Sequence, residues 1–110
     1  MKIKGKTVFV YDIETFPNLF TCAVKNTESG NKVVYEVSIR KNELYKIAEL
    51  FGHKNIMFCG YNNKFYDDSI INYILINYEE LIVLSYLETC KKLKEFSDLI
   101  ISSEGNNFTS

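Results

Sequence analysis

The sequence predicts a single α/β domain in which three antiparallel strands precede a crossover helix and a fourth strand. Strand-forming runs at 6–12, 19–24 and 32–39 are separated by turn-rich segments, and a helical pattern at 42–51 leads to a further apolar run at 54–60. Short turns between consecutive strands indicate an antiparallel meander. A strand–helix–strand crossover favours parallel strands, so we expect the fourth strand to lie parallel to the first.

The composition limits the classes of partner and compartment. The chain has 110 residues, 46% of them hydrophobic and 25% charged, which suits one soluble folded domain. A formal net charge of −1 argues against bulk phosphate attraction, so a nucleic acid would have to be held locally. Three widely spaced cysteines indicate reduced thiols in a cytoplasmic protein. No long uncharged apolar segment occurs, and we expect no membrane span.

The first strand ends in two acidic residues. Residues 7–11 are rich in Val, aromatic and β-branched side chains, which favours a strand buried on both faces. Alternation places Asp12 and Glu14 on the same face, about 7 Å apart along the chain. Two adjacent carboxylates repel each other, and a hard divalent cation, Mg²⁺ or Mn²⁺, would relieve that repulsion. The alternative is that both are ordinary polar residues at a strand end.

A second acidic position follows the fourth strand. A helix is expected over 67–77, and Asp67 lies at its start, where it could also act as the helix N-cap. Parallel neighbouring strands open their carboxyl ends at the same edge of a sheet, which is where ligands bind in open α/β sheets. We therefore expect Asp67 to face Asp12 and Glu14 across a shared pocket.

Two short motifs resemble a known family. Residues 10–15, Val-Tyr-Asp-Ile-Glu-Thr, are similar to the first motif, Asp-x-Glu, of DnaQ-like (DEDD) 3′–5′ exonucleases. Residues 63–67, Asn-Lys-Phe-Tyr-Asp, are similar to the second motif of that family in family B DNA polymerases. The longer stretches at 12–18 and 60–67 most resemble proofreading domains of phage-type polymerases. The resemblance covers residues 6–77 and implies a ribonuclease-H-like fold.

The resemblance implies catalytic and metal-binding roles for the three acids. Asp12, Glu14 and Asp67 would bind two Mg²⁺ or Mn²⁺ ions. In such a two-metal site the ions lie ~4 Å apart and assist phosphodiester hydrolysis by stabilising the attacking and leaving oxygens.

The same resemblance implies three substrate-binding residues for the 3′ end of single-stranded DNA: Thr15, Asn63 and Tyr66. Tyr66 offers a ring for stacking, and Asn63 an amide for the sugar-phosphate or a base edge. The alternatives are a turn residue for Asn63 and, for Thr15, a hydroxyl that only satisfies the backbone.

The sequence departs from the family at the third motif. Neither Tyr-x-x-x-Asp nor His-x-x-x-x-Asp occurs, so the fourth carboxylate and the group that orients the attacking water have no counterpart. We expect the N-terminal portion of a polymerase-associated exonuclease, weak or inactive alone, with the polymerase domain elsewhere in a longer chain. One alternative is a non-catalytic ribonuclease-H-like module that binds single-stranded nucleic acid or protein. An RNA-directed exonuclease of the same superfamily is a third interpretation.

The C-terminal part is expected to add a helix at 79–95, a short strand at 98–102 and a disordered tail at 104–110. Residues 1–110 would then form one partial domain that is incomplete at its C-terminus. An incomplete sheet leaves an edge unpaired, and such an edge predicts a homodimer.

Overall fold

A computed structural model describes the backbone of residues 1–60 and 64–109 and the side chains of residues 1–60 and 66–103. The elements in chain order are β1 (Lys2–Ile3), β2 (Lys6–Phe16), β3 (Leu19–Asn26), β4 (Lys32–Val37), α1 (Leu44–Phe51), β5 (Ile56–Gly60), α2 (Lys64–Ile76), α3 (Tyr78–Leu81) and α4 (Tyr86–Thr109). The chain is therefore a mixed α/β protein, as the sequence predicts.

β2 is the centre of the sheet. It pairs antiparallel with β3 and parallel with β5, and β3 in turn pairs antiparallel with β4. The resulting order β4-β3-β2-β5 confirms the predicted meander and the predicted parallel strand. The sequence did not predict β1, which pairs with the start of β2 through a two-residue turn. Lys4 and Gly5 both have positive φ there (54° and 78°), as tight hairpin turns require.

One face of the sheet carries the core. Alternation along each strand places six buried side chains on this face: Tyr11, Ile13, Phe20, Cys22, Val24 and Val37. Buried apolar side chains from α1, α2 and α4 pack against them in a single cluster. Each fully buried aliphatic side chain contributes about 1.5–3 kcal/mol through apolar burial, so this cluster is the main source of stability.

The other face of β2 is open. Val10 and Asp12 are only partly buried and Glu14 is exposed, although Val8 on the same face is buried. Burial of the first strand is therefore confirmed for one face only. The reason is tertiary, because the helices whose side chains form the core all join the face that carries Tyr11 and Ile13.

A single helix takes the place of the strand predicted at 98–102, so that prediction is wrong. Leu93, Ser97 and Ile100 are buried at spacings of four and three residues, which sets them on one side of a helix. The helix, α4, continues to Thr109 and so enters the segment 104–110 for which the sequence predicts disorder.

The helix predicted over 79–95 is divided in two, because α3 ends at Leu81 and α4 begins only at Tyr86. Ser85 caps the second helix: its Oγ accepts the Glu88 backbone N–H at 3.2 Å, and its hydroxyl donates to Glu88 Oε1 at 3.0 Å. The break therefore has a local cause in the Ser-x-x-Glu pattern.

The cysteines are unpaired, as predicted, with Cys22 and Cys90 buried and Cys59 partly buried. Over the ranges that the structure describes, no helix combines the length and the hydropathy needed to cross a membrane.

Candidate functional site

β2 presents the two acids of the first motif. Asp12 lies opposite Ala23 and Glu14 opposite Thr21 on β3, so both side chains leave the same face of the sheet. This face is the open one, and Asp12 is partly buried while Glu14 is exposed. The shared orientation of the two acids agrees with the expectation from the sequence.

Asp67 lies in the first turn of α2 and is 2% exposed. Its Oδ2 atom is buried and has no hydrogen-bond partner among the side chains and backbone that the structure describes. Burial first, and then the charges of Asp12 and Asp68, raise the pKa of this carboxyl group to about 6. A buried carboxylate oxygen without a partner is costly, so a proton or a cation would stabilise it.

Asp12 and Asp67 act on a common neighbour, the Cys22 thiol. Burial raises the pKa of Cys22 to about 12, and the charges of Asp67 and then Asp12 add to the effect. The charges of two of the three predicted carboxylates thus reach the same buried thiol, although Asp12 leaves the open face of β2. Glu14 does not join them in a cluster, because the described side chains contain no group of three His, Cys, Asp or Glu that could hold a metal ion.

Three hydroxyl groups meet on the helix-covered face. Thr15 Oγ1 lies 3.1 Å from the Tyr66 hydroxyl and donates to Ser97 Oγ at 3.1 Å, and the Tyr66 hydroxyl lies 2.7 Å from Ser97 Oγ. Two of the three predicted substrate-binding residues, Thr15 and Tyr66, are thus in direct contact. The third, Asn63, lies outside the described residues.

Ser97 is a member of this hydroxyl cluster that the sequence analysis missed. It is 1% exposed and projects from α4, distant in sequence from both motifs. The only signal is its helical spacing from Leu93 and Ile100, which marks a core-facing position but not a polar contact.

Tyr11 ties the end of β2 to the start of α2. Its hydroxyl donates to Asp68 Oδ1, and its ring meets the ring of Phe51 edge-on with the centroids 5.0 Å apart. Burial, the hydrogen bond to Asp68 and the nearby charges of Asp68 and Asp67 raise the Tyr11 pKa, so the phenol stays neutral. The motifs assign no role to Tyr11 or Asp68, yet this bond holds α2 against the strand that carries Asp12.

No protein-family model matches the chain, and comparison with curated proteins and with solved structures finds no match. The family resemblance therefore rests on the two short motifs, and the activity that it implies is a proposal.

Proposed function

We propose that the chain belongs to a DnaQ-like 3′–5′ exonuclease domain with a ribonuclease-H-like fold, of the type that proofreads for phage-type DNA polymerases. The strand order β4-β3-β2-β5, in which only the last pair is parallel, supports this proposal. So does the location of the motif residues that the structure describes, with Asp12 and Glu14 on the central strand and Asp67 in the first turn of α2.

The observation that carries the proposal is the buried Oδ2 of Asp67, which has no hydrogen-bond partner among the described residues and whose carboxyl group senses the charge of Asp12. A carboxylate oxygen is rarely buried without a hydrogen-bond partner unless the group binds a proton or a cation. Both groups offer only oxygen donors, which suit Mg²⁺ or Mn²⁺. Asp12 and Asp67 would hold the ion, and Glu14 would reach it by a side-chain movement, since it shares a strand face with Asp12.

A bound divalent ion would lower the pKa of a water molecule and offset charge on the phosphate. The chain's own residues would position the strand. The resemblance assigns Tyr66 to the 3′ end, but its ring packs against the core and its hydroxyl contacts Thr15 and Ser97, so binding of the 3′ end by the ring would require this contact to open. Asn63 of the second motif would supply an amide to the same nucleotide.

A second candidate is a non-catalytic module of the same architecture that binds single-stranded nucleic acid or protein. The observation in its favour is that Glu14 does not complete a metal-binding group of three with Asp12 and Asp67 in the part of the chain described. The missing third motif points the same way.

Calorimetric titration with Mn²⁺ separates the two candidates. The wild-type chain should bind the ion, Asp67→Asn should abolish binding, and Glu95→Gln, which removes an exposed acid from α4, should leave it intact. The exonuclease proposal would be rejected if the wild-type chain bound no Mn²⁺, or if Asp67→Asn bound Mn²⁺ as tightly as the wild type.

Activity is measured separately, on single-stranded DNA and RNA carrying a label near the 3′ end. We expect slow Mn²⁺-dependent shortening or none, because the third motif has no counterpart. Rapid degradation that is abolished in Asp12→Ala would show that the missing motif is dispensable. Preference for RNA over DNA would redirect the proposal to the RNA-directed members of the superfamily.

A further inference from the structure

A groove lies on the open face of the sheet, opposite the face that carries the hydroxyl cluster. It has a volume of about 420 Å³, and its lining includes Val10, Asp12, Ala23, Lys25, Lys32 and Val34. Strand register sets the order of these side chains. Val10 lies opposite Lys25, and Lys25 lies opposite Lys32, so the two lysines form one row across β3 and β4.

Lys25 and Lys32 place two positive charges side by side on neighbouring strands. Like charges directly opposite on neighbouring strands repel each other and weaken the pairing. Both lysines are exposed, and neither has an ion-pair partner among the described residues, whereas lysines elsewhere on the surface, such as Lys41 and Lys46, pair with Glu43. An anion seated between Lys25 and Lys32 would relieve the repulsion.

The rest of the groove indicates which anion would fit. Val10, Ala23 and Val34 give it an apolar floor, and Asp12 lies in the next row, one two-residue step of about 7 Å along β2 from Val10. The groove therefore runs from an acidic end to a basic end over an apolar surface. This pattern suits a single strand of nucleic acid, which combines backbone phosphates with apolar sugar and base surface.

We propose that Lys25 and Lys32 bind backbone phosphates of a single-stranded nucleic acid that lies along this groove, with its reacting end at Asp12. The assignment of the reacting end rests on the proposed exonuclease function. Binding of the strand by the two lysines does not, because it depends only on the charges and the shape of the open face.

The test is fluorescence anisotropy of a fluorescein-labelled oligothymidine over a range of salt concentrations. EDTA is present so that neither cleavage nor metal binding contributes. Lys25→Gln/Lys32→Gln is compared with Lys54→Gln/Lys91→Gln, which removes the same charge from two exposed positions away from the groove. Loss of a repelling pair should not weaken the fold, and the wild-type melting temperature serves as the check.

In the groove variant, the magnitude of the negative slope of log K against log salt should fall by about 1.4, because each phosphate contact on a single strand contributes about 0.7. The control variant should leave the slope near the wild-type value. The proposal would be overturned if the groove variant and the control variant lost the same amount of affinity, or if the wild-type chain did not bind the oligothymidine. It would also be overturned if polyglutamate displaced the oligothymidine as well as unlabelled oligothymidine does, and the groove would then be assigned to an acidic protein segment. If the salt dependence requires the two lysines but the wild-type chain does not bind Mn²⁺, the exonuclease proposal is rejected and the proposed nucleic-acid groove is retained.

Discussion

The charge of Asp12 acts on the buried carboxyl group of Asp67, whose pKa rises from 3.8 to about 6, through burial first and the Asp12 charge second. An acid whose pKa is raised by folding binds protons more tightly in the folded state. Its stabilising contribution is complete below about pH 4 and is lost as the pH rises through about 6. Two pKa units correspond to about 3 kcal/mol, which is the upper limit of the effect. Urea unfolding followed by far-ultraviolet circular dichroism across that window measures it.

Asp67→Asn is the control for this pH dependence. Glu36 also makes the stability depend on pH, but in the opposite direction. Hydrogen bonds from Ser38 and Arg40 lower its pKa, so its stabilising contribution is lost as the pH falls. The difference between wild type and Asp67→Asn isolates the Asp67 contribution. The variant should be more stable above about pH 6, by about 1–2 kcal/mol, because it removes a buried charge. Parallel pH profiles for the two proteins would contradict the assignment.

Tyr11 and Asp68 should be energetically coupled. Tyr11→Phe keeps the packing against Phe51 and removes only the hydroxyl, so we expect a loss of about 1–2 kcal/mol in the free energy of unfolding. Asp68→Asn should cost less, since its side chain is only partly buried and an amide oxygen can still accept the bond.

A double-mutant cycle of Tyr11→Phe with Asp68→Ala, which removes the acceptor, should give a coupling energy of about 1 kcal/mol, measured by urea unfolding at neutral pH. Asp98→Ala provides the matched control, because it alters an exposed aspartate whose partner is Lys94 and not Tyr11. Additive effects of Tyr11→Phe and Asp68→Ala would show that the two groups do not interact in solution.

The sheet could be predicted from the sequence because its signals are local. The turn between β3 and β4 is an example: Asn26 Oδ1 accepts the backbone N–H groups of Glu28 and Ser29, and Gly30 takes a φ of 80°. Such polar turn residues between two alternating runs predict a hairpin without any knowledge of the fold. The parallel strand followed from the crossover rule, which also needs only the order of elements.

The C-terminal part could not be predicted in the same way. Leu99, Ile100 and Ile101 form a short apolar run that suits a strand or a helix equally well. The choice is made by packing, since only a helix buries Ser97 and Ile100 together while leaving Leu99 and Ile101 exposed. The contacts of Thr15 with Ser97 and of Tyr11 with Asp68 likewise join residues far apart in sequence and carry no local pattern.

Removal of the Ser97 hydroxyl should weaken the contact between β2 and α4. Ser97→Ala loses two hydrogen bonds but leaves Thr15 Oγ1 within 3.1 Å of the Tyr66 hydroxyl, so we expect a loss of about 1 kcal/mol. Ser102→Ala, at an exposed position of the same helix, should change the free energy of unfolding by less than about 0.5 kcal/mol. Equal effects of the two substitutions would exclude a stabilising role for the hydroxyl cluster.

The start of α4 should depend on the Ser85 side chain. Its Oγ accepts the Glu88 N–H, and its carbonyl accepts the Thr89 N–H at 3.0 Å as the first bond of the helix. Ser85→Ala removes the cap and should lower the free energy of unfolding by about 1 kcal/mol, whereas Ser85→Asp keeps an acceptor at the cap and should retain most of the stability. Thermal unfolding of the three proteins measures both effects. Since an aspartate also places a favourable negative charge at the helix N-terminus, a Ser85→Asp protein as unstable as Ser85→Ala would mean that this residue does not cap α4 in solution.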